Sequence, residues 1–409
     1  MSQASTGEAA SLAVNPFDFD VLQDPFPIYR RLRDEAPVQW NDAVGTYWVS
    51  RYDDVHAGVF NDRDFSAKTT AYQLGVTSGV DLGSFGRTNT LPTSDPPDHA
   101  RLRQIANKAF VPKAIAQYRP HIATIVDEYF DRALGAGEVE IVSGLAESLP
   151  ILVIAAVMGI PAAEAAQFKR ASLNMMKAFT GPNMTPDEGQ QATEAVRYLE
   201  ELFDAARIDR QQAPKSDLLT RLAEAEAEEQ RLSRREYLAT CLLLLLAGNE
   251  TTTNSISAMF YLLATHKDQL AAVRADPGLA DQMVEEVLRI LGPVHWSVRR
   301  ARTDVEIAGT TVPAGSGVSF LLASANRDER HYPEPDKFLV GRHPVDHLAF
   351  GRGRHLCLGA PLARAEMQAV ANAIVQRCAD IELPTPDLVW GGSLQSRGIQ
   401  SLKIALRAA

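Results

Sequence analysis

HLAFGRGRHLCLGAPLARAE, residues 347–366, carries more information than any other stretch of this chain of 409 residues. Gly351, Gly353 and Gly359 surround Cys357. Lacking a Cβ, glycines let a backbone lie close against a flat object. LARAEMQAVANAIV follows with helical character, so Cys357 is placed at or near a helix N-terminus. Free N–H groups and the helix dipole there favour a thiolate. Other readings compete. A lone cysteine is commonly a small buried hydrophobe, and Cys241 and Cys378, set in apolar helical sequence, are read that way. A zinc site could draw on His343, His347, His355 and Cys357, but no second cysteine pair supports it and the glycines stay unexplained. A dinucleotide loop fails, because Leu356 stands where the third glycine of GxGxxG belongs.

Upstream, CLLLLLAGNETTTNS (241–255) joins five leucines to eight residues without an apolar side chain. Ser233 with Glu236 is a capping-box signature, and no proline follows until Pro277. The pattern predicts a helix lasting to about His266, roughly 48 Å long at about 1.5 Å per residue. Its leucine half belongs in the core. Its polar half is either a solvated exit or a stretch where Gly248 and the hydroxyls loosen the helical ladder and open a groove for a small ligand. The segment alone leaves both open.

The totals narrow the class. A net charge of −10 disfavours a general nucleic-acid binder, which needs basic surface. Three scattered cysteines make no disulfide framework. The first sixteen residues have no basic n-region and no apolar run, which argues against a secretory signal. The longest apolar run, 241–247, is far below the roughly 18 residues of a membrane span. A cytoplasmic protein outside the membrane is expected. Residues 1–15 are read as a disordered arm and 16–409 as one domain. That domain is mainly α with small β-sheets, an α+β arrangement. PFPIYRRLRDEAP should be a helix, VQWNDAVGTYWVS a hairpin, YDDVHAGVFND a short helix, and Ser66–Ser94 a long irregular segment.

Phe350–Gly359, FGRGRHLCLG, resembles the haem-binding signature of the cytochrome P-450 family. Ala247–Thr251 resembles its oxygen-activation motif, Glu286–Arg289 its E-x-x-R motif, and DPPDHARLR (95–103) a helix start of soluble bacterial members. ANRDERHYPEPDKF and RGIQSL also resemble family segments. The likeness runs from about Pro25 to the end, with the motifs in family order.

The resemblance implies haem b between the long helix and the Cys loop, with Cys357 as axial thiolate to iron, a ligand that promotes O–O cleavage. It places Phe350 and Gly351 beside the sulfur, and His99, Arg103, Arg299 and His355 at the propionates. For isolated arginines a solvated surface role is the alternative, but His99 and Arg103 share a helix face at i, i+4. Glu286 and Arg289 should form a structural buried pair, with Arg342 as a possible third member. Ala247 and Gly248 should pass over the open face of the haem, with Thr251 bonding dioxygen or a nearby water and Glu250 relaying protons. The implied activity is insertion of one oxygen atom from O2 into an apolar small molecule. The chain has no room for a flavin or nicotinamide domain, so electrons should come from NAD(P)H through a ferredoxin and its reductase. Arg101, Lys108, Lys113, Arg352 and Arg354 are candidate docking charges. A monomer is expected. Met175, Met176, Phe179, Val294, Trp296 and a turn near Leu394 are candidate pocket walls. A non-catalytic haem-thiolate ligand binder or sensor is the alternative function.

Overall fold

The helix expected from Ser233 runs Arg234–Thr265, 32 residues, in the computed structural model. The structure describes residues 12, 14–68, 80–179, 184–227, 232–385 and 388–409. Both halves of the capping box form. The Glu236 N–H donates to Ser233 Oγ at 3.2 Å, and the Ser233 N–H donates to Glu236 Oε2 at 2.8 Å. Helices Ser148–Met158, Pro186–Gln212, Ala280–Leu291 and Ala360–Arg377 pack around it. That surround explains why Leu242–Leu245 are buried on every side.

In the polar half Asn249, Thr252, Thr253 and Ser255 are buried, Glu250, Thr251 and Asn254 are half-buried and Gly248 is exposed, and the helix runs through without a break. Thr251, Ser255, Ser257 and Thr265 donate their hydroxyls to carbonyls four residues back, at 3.0, 2.8, 2.9 and 2.8 Å. A carbonyl has two lone pairs, so it accepts both the helical N–H and the hydroxyl. The expected loosening of the ladder is therefore not found. These hydroxyls are satisfied by the intact helix, and Thr253 reaches Ala146 O at 2.9 Å, which offsets the cost of burying them.

Small sheets accompany the helices among the described residues. A five-stranded sheet has the order Val38–Asn41, Thr46–Val49, Gly317–Phe320, Ser297–Ala301, Phe65–Ser66. The first pair is the expected hairpin, and its second strand runs parallel to Gly317–Phe320. Glu138–Glu140, Lys403–Ala408 and Cys378–Glu382 form a second sheet. Two ribbons, Val305–Ile307 with Thr310–Val312 and Trp390–Ser393 with Ser396–Ile399, complete the set. The helices Phe26–Glu35 and Tyr52–Phe60 lie where the sequence placed them.

The end of the N-terminal arm is tied down. Leu12 exchanges two backbone hydrogen bonds with the Gln39 amide, and Asn41 Nδ2 donates to Val14 O at 2.8 Å. The rest of the expected disordered arm lies outside the described residues, as do residues 69–79 of the irregular segment and 180–183 of the later interruption.

Candidate active site

Cys357 stands three residues ahead of the helix Ala360–Arg377, as the sequence placed it. Its N–H donates to Phe350 O at 2.9 Å, and the Gly351 N–H donates to Leu348 O at 2.8 Å, closing the loop on itself. Gly351 and Gly353 have φ of 64° and 67°, a region costly for residues with a Cβ. Only part of the glycine expectation holds. A Cβ at Gly353 would press on Phe60 and on Val59 O, so this glycine admits the helix Tyr52–Phe60 rather than a ligand. Gly351 and Gly359 face no such crowding.

By accessible surface Cys357 is exposed, yet protein surrounds the sulfur closely enough to desolvate it. The two fit together if the sulfur opens onto an internal cleft rather than bulk solvent. Burial raises the thiol pKa, against N–H groups of Gly359 and Ala360 and the charges of Arg103 and Arg364. The helix N-terminus therefore does not make a thiolate by itself. A coordinated metal cation would, since a coordinating thiol loses its proton outright.

Beside the loop lies a cluster of bases short of an anion. His99 is 1% exposed, and neither ring nitrogen has a hydrogen-bond partner among the described residues; His355 Nδ1 also has none. The two rings are 4.3 Å apart. Burial lowers both, helped at His99 by Arg103 and Arg354, and at His355, held at about 3, by Arg299 and His99. Arg299 is itself lowered by burial and donates to Ser297 Oγ and Val298 O. Arg103 donates to Leu356 O at 2.6 Å, bridging the helix Asp98–Asn107 to the Cys loop. Buried imidazoles with orphaned nitrogens between two guanidinium groups suit a carboxylate-bearing ligand. The residues present fit haem, with its two propionates.

On the long helix, Ala247 and Gly248 are exposed although their neighbours are buried, and a Cβ at Gly248 would meet nothing within 4 Å. Space therefore opens inside the molecule at this level. One turn on, burial raises Glu250 to about 7, opposed by a hydrogen bond from Ser396. Thr251 gives its single hydroxyl proton to Ala247 O, so it presents lone pairs rather than a donor.

The family model for Cytochrome P450 matches residues 49–277 and 278–385. The chain belongs to the cytochrome P450 family. The chain is 35% identical to cytochrome P450 monooxygenase PikC of Streptomyces venezuelae, covering 99% of this chain and 96% of PikC. It is 34% identical to the 6-deoxyerythronolide B hydroxylase of Saccharopolyspora erythraea, over 94% of this chain and 96% of that one. The solved cytochrome P450 CYP109Q5 from Chondromyces apiculatus superposes with a TM-score of 0.88 at 33% identity, covering 97% of this chain and 99% of that one. This P450 is thus an oxidoreductase of a family whose cofactor is haem held by a cysteine thiolate.

The E-x-x-R pair of this P450 is a fully buried bidentate ion pair. Arg289 Nε and Nη2 meet Glu286 at 2.7 and 2.8 Å, and Arg342 Nε adds a third contact at 3.0 Å, as the resemblance implied. Next to it, Arg364 chelates Glu285 at 2.7 and 2.8 Å and lies over the Phe350 ring at 4.6 Å. Burial pushes Glu285 up, but hydrogen bonds from Arg364 and His347 outweigh it and hold the carboxyl at about 2. His347 is thereby committed to Glu285. No group of three metal-ligating side chains occurs among the described residues, and the zinc reading has no support.

Several surface and wall expectations for this P450 change. Arg352 is paired with Asp346, Arg354 with Asp62, and Arg101 with Glu236. Lys108 and Lys113 are exposed and form no ion pair among the described residues. Trp296 and Leu394 are 7% and 1% exposed and belong to a core cluster with Tyr29, Leu32 and Trp48. They build core rather than an open wall. Met175 and Met176 are buried as well, Val294 is half-buried, and the Phe179 side chain lies outside the described residues. Sequence reading missed Ser396 and Asn254 beside Glu250, and Glu285 and Arg364 beside Phe350. No local pattern marks the first two, which lie 142 residues apart.

Proposed function

We propose that this P450 is a monooxygenase acting on an apolar small molecule, with electrons from NAD(P)H carried by a ferredoxin and its ferredoxin reductase. The observation that carries the reading is the glycine-lined Cys357 loop beside the orphaned imidazoles of His99 and His355. When bound, haem supplies the centre at which dioxygen is reduced and one oxygen atom transferred. Cys357 holds the iron, with Phe350 and Gly351 shielding the sulfur. His99, His355, Arg103 and Arg299 hold the propionates. Ala247 and Gly248 would leave room for the haem and its ligands in the cleft beside the long helix. Thr251 accepts a hydrogen bond from water in the cleft. Glu250, neutral and ionised in comparable amounts near pH 7, passes protons inward.

A titratable carboxyl at this position is superfluous for mere ligand binding, which favours the enzyme over the sensor. On the outer face, Lys108 and Lys113 offer uncompensated positive charge to an acidic ferredoxin. The hydroxylase named above acts on 6-deoxyerythronolide B, which supports a small-molecule substrate. Residues 16–409 act as one domain, a monomer of the cytoplasm. Three free cysteines suit a reducing compartment, and no helix among the described residues is long and apolar enough to cross a membrane.

The test is Cys357→His. The ferrous–CO band near ~450 nm that a thiolate ligand implies should vanish while the far-ultraviolet circular dichroism stays unchanged. Persistence of the band would show that another residue holds the iron.

A further inference from the structure

The ribbon Trp390–Ser393/Ser396–Ile399 lies against the polar stretch of the long helix at backbone distance. A Cβ at Gly398 would stand 2.0 Å from Asn254 Oδ1, and one at Gly392 would stand 3.9 Å from Glu250 Oε1. Glycine at 398 is therefore what lets the strand settle onto Asn254. Glu250 and Asn254 are four residues apart and share a helix face. Ser396 sits over both. Asn254 Nδ2 donates to Ser396 Oγ at 3.3 Å, and the Ser396 hydroxyl lies near enough to the Glu250 carboxyl to oppose the effect of its burial.

A hydroxyl has one proton and two lone pairs. Because the Asn254 amide occupies a lone pair, the Ser396 proton is free for Glu250. That leaves a donor path from Asn254 N–H through Ser396 O–H toward the carboxyl. Burial and Ser396 act on Glu250 with no charged neighbour among the causes, and the buried Glu366 of the helix Ala360–Arg377 is itself pushed toward its neutral form by burial. Glu286, Arg289, Glu285 and Arg364 pair among themselves, Glu200 accepts from the Ser84 N–H, and Arg397 donates to the carbonyls of Leu22 and Gln23.

We propose that Ser396, oriented by Asn254, is a positioning residue for Glu250: its O–H holds the carboxyl against the C-terminal ribbon and favours its ionised form. The proton relay is thereby tied to a strand that follows Leu394 and Gln395, far from the helix in sequence. This rests on the reading of Glu250 as the relay.

The experiment is an infrared pH titration of the haem-loaded protein, with the Glu250 carbonyl stretch identified by its loss in Glu250→Gln. The wild-type midpoint should lie at about 7. Ser396→Ala should move it up by about one pH unit, roughly tenfold in the ionisation constant, because a donor to the carboxylate is lost. Ser396→Thr, which keeps the hydroxyl, should restore it. Asn254→Ala should give a smaller shift of the same sign, and it carries the test should Ser396→Ala fail to fold. A midpoint in Ser396→Ala equal to wild type, or no rescue by threonine, overturns the positioning role. The relay itself is judged separately, by hydrogen peroxide formed per NAD(P)H oxidised in Glu250→Gln. An unchanged ratio there sinks the relay reading even if the infrared shift appears.

Discussion

Arg289→Met removes a side chain whose five donors are all engaged. Nε and Nη2 meet Glu286, Nη1 meets Asn326 O and Pro335 O at 2.8 Å each, and Nη2 also meets Lys337 O at 3.1 Å. Methionine fills much of the volume and donates nothing, leaving the carbonyls of Asn326 and Pro335 and part of a carboxylate unsatisfied, while Lys337 O keeps Arg342 Nη2 at 3.2 Å. Glu286 keeps Arg342 at 3.0 Å and the Leu339 N–H at 3.1 Å, so its charge is not abandoned. Breaking a buried ion pair costs about 3–5 kcal/mol. Unfolding entropy of about 2.1 cal/mol/K per residue, over 409 residues, makes a loss of about 4 kcal/mol worth about 5 °C in the melting midpoint. The damage has a route to the Cys loop. Asn326 takes Arg289 on its carbonyl and the Leu348 N–H on its side chain at 2.7 Å, and Leu348 O takes the Gly351 N–H. Haem retention should therefore fall as well. Circular-dichroism melts at one scan rate and Soret absorbance per unit protein measure both effects. Arg289→Lys, with the charge but fewer donors, should lie between. A midpoint within about 1 °C of wild type together with full haem content would refute this account.

Glu250→Gln should stabilise the protein at alkaline pH. The folded state keeps the proton up to about 7, whereas the unfolded chain releases it near about 4.3, so native stability falls as pH rises across that window. The variant should match wild type at pH ~4 and exceed it by on the order of 3 kcal/mol above pH ~8. Equal melting midpoints at the higher pH would contradict the burial of this carboxyl. Thr251→Ala should retain haem and substrate-induced Soret shifts while diverting electrons to peroxide; unchanged coupling of NAD(P)H to product would count against Thr251. Charge reversal at Lys108 or Lys113 should slow reduction by ferredoxin several-fold at low salt, and more than reversal at Arg354, which Asp62 already neutralises. The opposite ranking in stopped-flow reduction would move the docking site to the Cys loop.

How much of the site was legible depended on how far apart its parts lie in the chain. Ser233 and Glu236 meet within one helical turn, as do Glu286 and Arg289, so spacing alone announced both contacts. Glycines around Cys357 announced a close approach of the backbone to a flat object, yet Gly353 proved to admit the helix at Val59 and Phe60 instead. Arg352 and Arg354 read as free charge because nothing local marks Asp346 or Asp62 as their partners. Trp296 read as a pocket wall, because its partner Trp48 sits on a strand brought near only by the sheet.

Taken alone, the chain determined its long helix, the capping box at Ser233, its cysteine loop and the family those motifs belong to, since each is written in residues a few positions apart. Tertiary structure decided the rest: which imidazoles are buried without partners, which cations are already neutralised, and which strand reaches Glu250. Burial and long-range hydrogen bonds set those properties, and both depend on what the fold brings together rather than on what is adjacent along the backbone.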